Sequence, residues 1–128
     1  SRYARPAGVA FQLRDDLLSL FGDPAQTGKP LASDLMSGKR TLLLRLALRR
    51  GKPRELSVIK KVLENPRAKV PALRAALSAI QATGAPDLVE QRITQLSEQA
   101  LAELERGVSP AGRALLVGAT TALCSRRT

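Results

Sequence analysis

Histidine and tryptophan are absent from this sequence, cysteine occurs once, and aromatic residues make up only 2% of it. One cysteine, Cys124, argues against a disulfide scaffold and for a reducing compartment. With no histidine to activate its thiol, Cys124 reads as a small buried hydrophobe rather than a nucleophile. The near-absence of aromatic rings removes the stacking surfaces on which single-stranded nucleic acid is held. No apolar run reaches membrane-spanning length and nothing reads as a signal peptide, so no transmembrane segment is expected and a cytoplasmic protein is the default. Acidic residues are also few: 21 Lys and Arg stand against 11 Asp and Glu, a net charge of +10. Such a balance suits nucleic acid, an anionic membrane surface or phosphorylated small molecules. Because the cations are dispersed along the chain, nucleic acid is not the expected partner. A plainer account is that the chain is part of a protein whose remainder is acidic.

What is present is leucine and alanine. They dominate a hydrophobic content of 44%, and both are good helix formers, whereas β-branched residues are sparse. The expected fold class is all-α, a helical bundle with a core of closely packed helices. A length of 128 residues fits one domain or a piece of one. The chain opens on Ser1 without an initiator methionine, which suggests that an upstream part is missing.

Apolar spacing and helix breakers divide the chain. Ala10, Leu13, Leu17, Leu18 and Phe21 form a helical stripe from about Ala7 to Phe21, stopped by Gly22, Asp23 and Pro24. A long polar connection from Asp23 to Gly38 follows, and ordered loops of that length are often functional. Further helices are expected from Thr41 to Arg50, from Pro53 to Leu63 and from Pro71 to Thr83, the last closed by Gly84. Pro86 and Asp87 begin the longest, with Leu88, Ile93, Leu96, Ala100, Leu101 and Leu104 at helical spacing. Ser109 and Pro110 would start a last helix through Cys124.

The densest chemistry lies in residues 11–41. On a helix, Gln12, Asp15 and Ser19 share a face, and Asp16 lies about 100° round from Asp15. Adjacent carboxylates repel unless a cation is near, and oxygen-only ligands suit Mg²⁺, which completes its shell with water and phosphate oxygens. A solvated polar face is the simpler reading of these residues alone. Two Gly-Lys pairs follow, Gly28-Lys29 and Gly38-Lys39, able to offer ammonium groups to a metal-bound phosphate. Neither has the spacing of a nucleotide-binding P-loop, and no strand precedes them.

Taken in order, Phe11-Gln12-Leu13-Arg14-Asp15-Asp16-Leu17-Leu18-Ser19, Gly22-Asp23, Thr27-Gly28-Lys29, Asp34-Leu35 and Gly38-Lys39-Arg40-Thr41 resemble the second aspartate-rich region of the trans-isoprenyl (polyprenyl) diphosphate synthases. Thr83-Gly84-Ala85, Val89-Glu90, Ile93, Leu96 and Ala100 resemble a later helical region of the same family more weakly. The resemblance implies an all-helical prenyl synthase fold working as a homodimer. It implies Mg²⁺-dependent condensation of an allylic diphosphate with isopentenyl diphosphate, the allylic diphosphate gripped through Mg²⁺ between two aspartate-rich regions. Carried over by position, Asp15 would bind Mg²⁺, Asp16 would bind or support it, Gln12 would lie beside the allylic substrate, and Lys29 and Lys39 would hold its diphosphate.

Two departures stand out. Ser19 occupies the place of the motif's third aspartate. The first aspartate-rich motif, the residues that hold isopentenyl diphosphate and those that set product length do not occur in residues 1–128. The chain therefore reads as the C-terminal portion of one polyprenyl synthase domain, inactive by itself and self-associating through apolar faces of its first two main helices. The alternative is a non-catalytic basic helical interaction module of the same ancestry.

Overall fold

A computed structural model describes residues 4–106, residue 114 and residues 117–122. Among these, all regular structure is helical. The helices are α1 (Ala4–Phe21), α2 (Pro24–Thr27), α3 (Ser33–Met36), α4 (Leu42–Arg50), α5 (Pro53–Leu63), α6 (Val70–Ala82) and α7 (Ala85–Leu104). Residues 114 and 117–122 are also helical. Most of the helix expected from Ser109 to Cys124, and Cys124 itself, lie outside the described residues. No described helix is long and apolar enough to cross a membrane.

The chain divides into two compact units, one of residues up to Asp15 with those from Glu90 onward, the other beginning at Asp16 and running through Val89. In the first, the opening turns of α1 bury Ala7, Ala10 and Leu13, and α7 buries Ile93, Leu96, Ala100 and Leu104. Ala10 and Ala100 are fully buried. Side chains this short let helix backbones approach closely, as a core poor in aromatics requires.

In the second unit α5 and α6 pack against each other, and α3 touches α5. Ile59 and Val62 on α5, and Leu73, Ala76 and Ile80 on α6, are buried. Local chemistry sets the helix ends. The Glu55 carboxylate accepts the Lys52 N–H at 2.8 Å, and Pro53 occupies the first turn of α5, where its missing N–H costs nothing. Between α6 and α7, the Thr83 hydroxyl donates to the Ile80 carbonyl at 2.6 Å and accepts the Ala85 N–H at 3.2 Å. The apolar faces of α1 and α4, expected to lie bare, are covered: Leu13, Leu17, Leu18, Leu43, Leu44 and Ala47 are all buried. The large apolar side chains exposed among the described residues are Val9, Phe11 and Val70.

The polar connection from Asp23 to Gly38 contains two single-turn helices rather than irregular loop. Asp23 caps α2, its carboxylate accepting the Ala25 N–H at 3.0 Å. Leu35 of α3 is buried at 2% exposure and anchors the C-terminal part of the segment.

Candidate active site

Asp15 and Asp16 follow each other on α1, yet their surroundings differ. Asp15 and Gln12 are exposed, while Asp16 is 4% exposed and Ser19 2%. Successive helical side chains point about 100° apart, so one carboxylate faces solvent as the other turns inward. The inward one has company. Lys39 Nζ lies 3.8 Å from Asp16 Oδ1, with the lysine side chain 48% exposed and the aspartate 5%. Lys29 Nζ donates to Ser19 Oγ at 3.0 Å. Both Gly-Lys pairs therefore send their ammonium groups back to α1, one beside Asp16 and the other one turn further along.

The glycines explain how. Gly28 has φ +72° and Gly38 φ +71°, left-handed conformations that cost a residue with a Cβ about 1 kcal/mol or more. Each sits immediately before its lysine and reverses the chain there. Other motif residues hold the frame. Thr27 Oγ1 accepts the Lys29 N–H at 3.2 Å. The Lys39 N–H donates to the Asp34 carbonyl at 3.0 Å. Thr41 caps α4, its hydroxyl accepting the Leu44 N–H at 3.1 Å. Asp23, Thr27, Gly28, Gly38 and Thr41 thus shape the segment.

Two features escaped the sequence reading. Asp34 Oδ2 is buried without a hydrogen-bond partner. An unmet carboxylate oxygen is costly, and Asp34 lies between the two lysines in sequence. The Asp34-Leu35 pair was visible as part of the motif, but its burial was not. The second is Arg14, whose guanidinium grips the Glu90 carboxylate of α7 with two bonds, 2.7 and 2.8 Å long. No local pattern connects positions so far apart in sequence.

Among the described residues no group of three or more His, Cys, Asp or Glu is placed to hold a metal ion. Mg²⁺ takes few protein ligands and completes its shell with water and phosphate oxygens, and a carboxylate such as that of Asp16 is the donor class it uses.

The sequence profile of the polyprenyl synthetase family matches residues 1–80. The chain belongs to this family. A geranylfarnesyl diphosphate synthase of Aeropyrum pernix is 42% identical over 100 residues, which are 78% of this chain and 30% of that protein. An octaprenyl diphosphate synthase of Escherichia coli is 34% identical over 116 residues, 91% of this chain and 36% of that one. Among solved structures, a geranylgeranyl pyrophosphate synthase of Corynebacterium glutamicum, complexed with isoprenyl diphosphate and magnesium, superposes with a TM-score of 0.90. It has 42% sequence identity and covers 98% of this chain and 36% of its own. The chain thus spans about a third of the length of these polyprenyl synthetases. The all-α fold expected from leucine, alanine and helix punctuation is the family's fold.

Proposed function

We propose that this chain forms the diphosphate-gripping wall of a Mg²⁺-dependent prenyltransferase that joins an allylic diphosphate to isopentenyl diphosphate. The observation that carries this reading is the return of both Gly-Lys pairs to the acidic helix, with Lys39 3.8 Å from Asp16 and Lys29 3.0 Å from Ser19. Two ammonium groups beside the buried Asp16 carboxylate and Ser19 make a receptor for an anion that arrives with a dication.

In this reading Asp15, exposed, binds Mg²⁺. Asp16, buried beside Lys39, binds the ion or orients its water. When bound, Mg²⁺ acts as a Lewis acid that neutralises the departing diphosphate. Lys29 and Lys39 donate to the diphosphate oxygens as compact charges on flexible stems. Gln12, one turn before Asp15 and Asp16 and on the solvent side, lies beside the allylic carbon. The allylic C–O bond breaks with its electron pair leaving on diphosphate. The double bond of isopentenyl diphosphate then forms the new C–C bond, and loss of a proton restores an alkene.

The described carboxylates make one half of such a grip. The reading assigns the other half, with the isopentenyl diphosphate pocket, to residues outside this chain, and expects a cytoplasmic homodimer. The deciding experiment titrates Mg²⁺ and inorganic diphosphate together into the chain by calorimetry. Saturable binding that Asp15→Asn and Lys29→Ala each weaken supports the assignment. Binding that neither substitution changes refutes it.

A further inference from the structure

Spaced singly along the chain, the cations look dispersed; counted against the carboxylates, they are not. Residues 40–74 hold eleven Lys and Arg against two Glu, an excess of nine where the whole chain has an excess of ten. All eleven are exposed. Like charges in such excess repel one another and disfavour the compact state, a cost that an anionic partner would offset.

The fold gathers part of this charge. Helices α5 and α6 pack against each other, and residues 64–69 join the last turn of the one to the first turn of the other. Lys60, Lys61, Arg67, Lys69 and Arg74 therefore lie toward one end of the helix pair, and Glu64 is the one carboxylate between positions 60 and 74. Among the described residues none of the five stands in an ion pair. The connection has a fixed form: Asn65 Oδ1 accepts the Arg67 N–H at 3.0 Å, and the Asn65 carbonyl accepts the Ala68 N–H at 3.1 Å. Val70 follows Lys69 directly and is 50% exposed. With Arg74 it lines an open groove of about 680 Å³ whose walls include Phe21, Leu31 and Leu77. All of these residues belong to the second compact unit.

Cations beside an exposed apolar side chain separate the candidate partners. A nucleic acid would use the cations and leave Val70 in water, and residues 40–74 contain no aromatic ring on which a base could stack. An anionic bilayer uses both, because its headgroups meet the ammonium and guanidinium groups and its acyl boundary takes the apolar side chain. We infer that this end of α5 and α6, through Lys60, Lys61, Arg67, Lys69 and Arg74, docks on the anionic surface of a lipid bilayer, with Val70 entering the acyl boundary. The inference stands apart from the metal and diphosphate reading, since it uses none of the same residues.

Co-sedimentation of the full chain with vesicles of phosphatidylcholine and phosphatidylserine, about 3:1, at about 0.15 M salt tests it. The parent chain should sediment with these vesicles and not with pure phosphatidylcholine. Each Lys or Arg near an anionic surface is worth roughly fivefold in partitioning, so Arg67→Gln/Lys69→Gln should lower it about 25-fold. Lys60→Gln/Lys61→Gln should do the same from the α5 side. Arg5→Gln/Arg92→Gln removes as much charge from exposed positions of the other unit and should stay within about twofold, because screening at this salt suppresses the effect of net charge alone. Val70→Ser keeps every cation and should cost about fivefold, the worth of its lost apolar contact. Circular dichroism melts establish that each variant is folded. Equal sedimentation with pure phosphatidylcholine overturns the inference, as does parent-like partitioning of Arg67→Gln/Lys69→Gln or an equal loss in Arg5→Gln/Arg92→Gln. Parent-like partitioning of Val70→Ser also overturns it, since attraction by charge alone needs no lipid. Duplex RNA bound at the same salt without vesicle sedimentation makes a nucleic acid the partner of this surface and overturns the lipid assignment.

Discussion

Replacing Lys29 by alanine tests the diphosphate grip most directly. The side chain is pre-placed: its backbone N–H is tied to Thr27 Oγ1 at 3.2 Å and its Nζ to Ser19 Oγ at 3.0 Å. Little conformational entropy remains to be lost when an anion arrives. A hydrogen bond from a charged donor is worth about 1.5–3 kcal/mol. Lys29→Ala should therefore lower kcat/KM for the allylic diphosphate by about 10- to 150-fold. The assay varies the allylic diphosphate at saturating isopentenyl diphosphate and Mg²⁺, in a polypeptide that carries both aspartate-rich regions. Ser19→Ala is the companion. It removes one anchor and keeps the charge on Lys29, so its effect should stay near fivefold, about 1 kcal/mol. KM for isopentenyl diphosphate should change little in either variant. If Lys29→Ala stays within threefold of the parent for the allylic substrate while the helical signal is intact, the lysine does not hold the diphosphate, and the segment from Asp23 to Gly38 is only a connector. A Ser19→Ala loss as large as that of Lys29→Ala would show that the hydroxyl, and not the ammonium, is what matters.

Three further outcomes are expected. Asp15→Ala should reduce turnover by at least about 100-fold, in line with the loss of a group that stabilises transition-state charge; because Asp15 is exposed, the melting temperature should hardly move, and near-normal turnover at saturating Mg²⁺ would exclude it as a ligand. Gly38→Ala forces a Cβ into a left-handed position at φ +71° and should destabilise the chain by about 1 kcal/mol in urea unfolding, while raising KM for the allylic substrate because Lys39 follows directly. Thr41→Ala removes the cap on the Leu44 N–H and should cost about 1 kcal/mol of stability, with kcat unchanged. A large loss of kcat with stability intact would give Thr41 a role beyond capping.

Much of this protein was written in local pattern. Leucine and alanine at helical spacing, with proline at helix starts and glycine at helix ends, fix an all-α chain because helix periodicity and end chemistry act over a few residues. The order of Gln12, Asp15, Asp16, Lys29 and Lys39 likewise carries the family resemblance in sequence alone. What local pattern could not say is which of these side chains face water and which meet each other. Asp15 and Asp16 look alike in sequence, yet one is exposed and the other buried beside Lys39. The Asp23–Gly38 connection looked irregular because helices as short as α2 and α3 leave no periodic signature, and α3 is fixed by the burial of Leu35. Arg14 and Glu90 are unremarkable singly, and only the fold, which brings them to 2.7 and 2.8 Å, makes them a pair. Sequence determined the helices and the chemical inventory, since propensity and capping are local. Tertiary structure decided the electrostatics, since burial and charge pairing depend on residues brought together from distant parts of the chain.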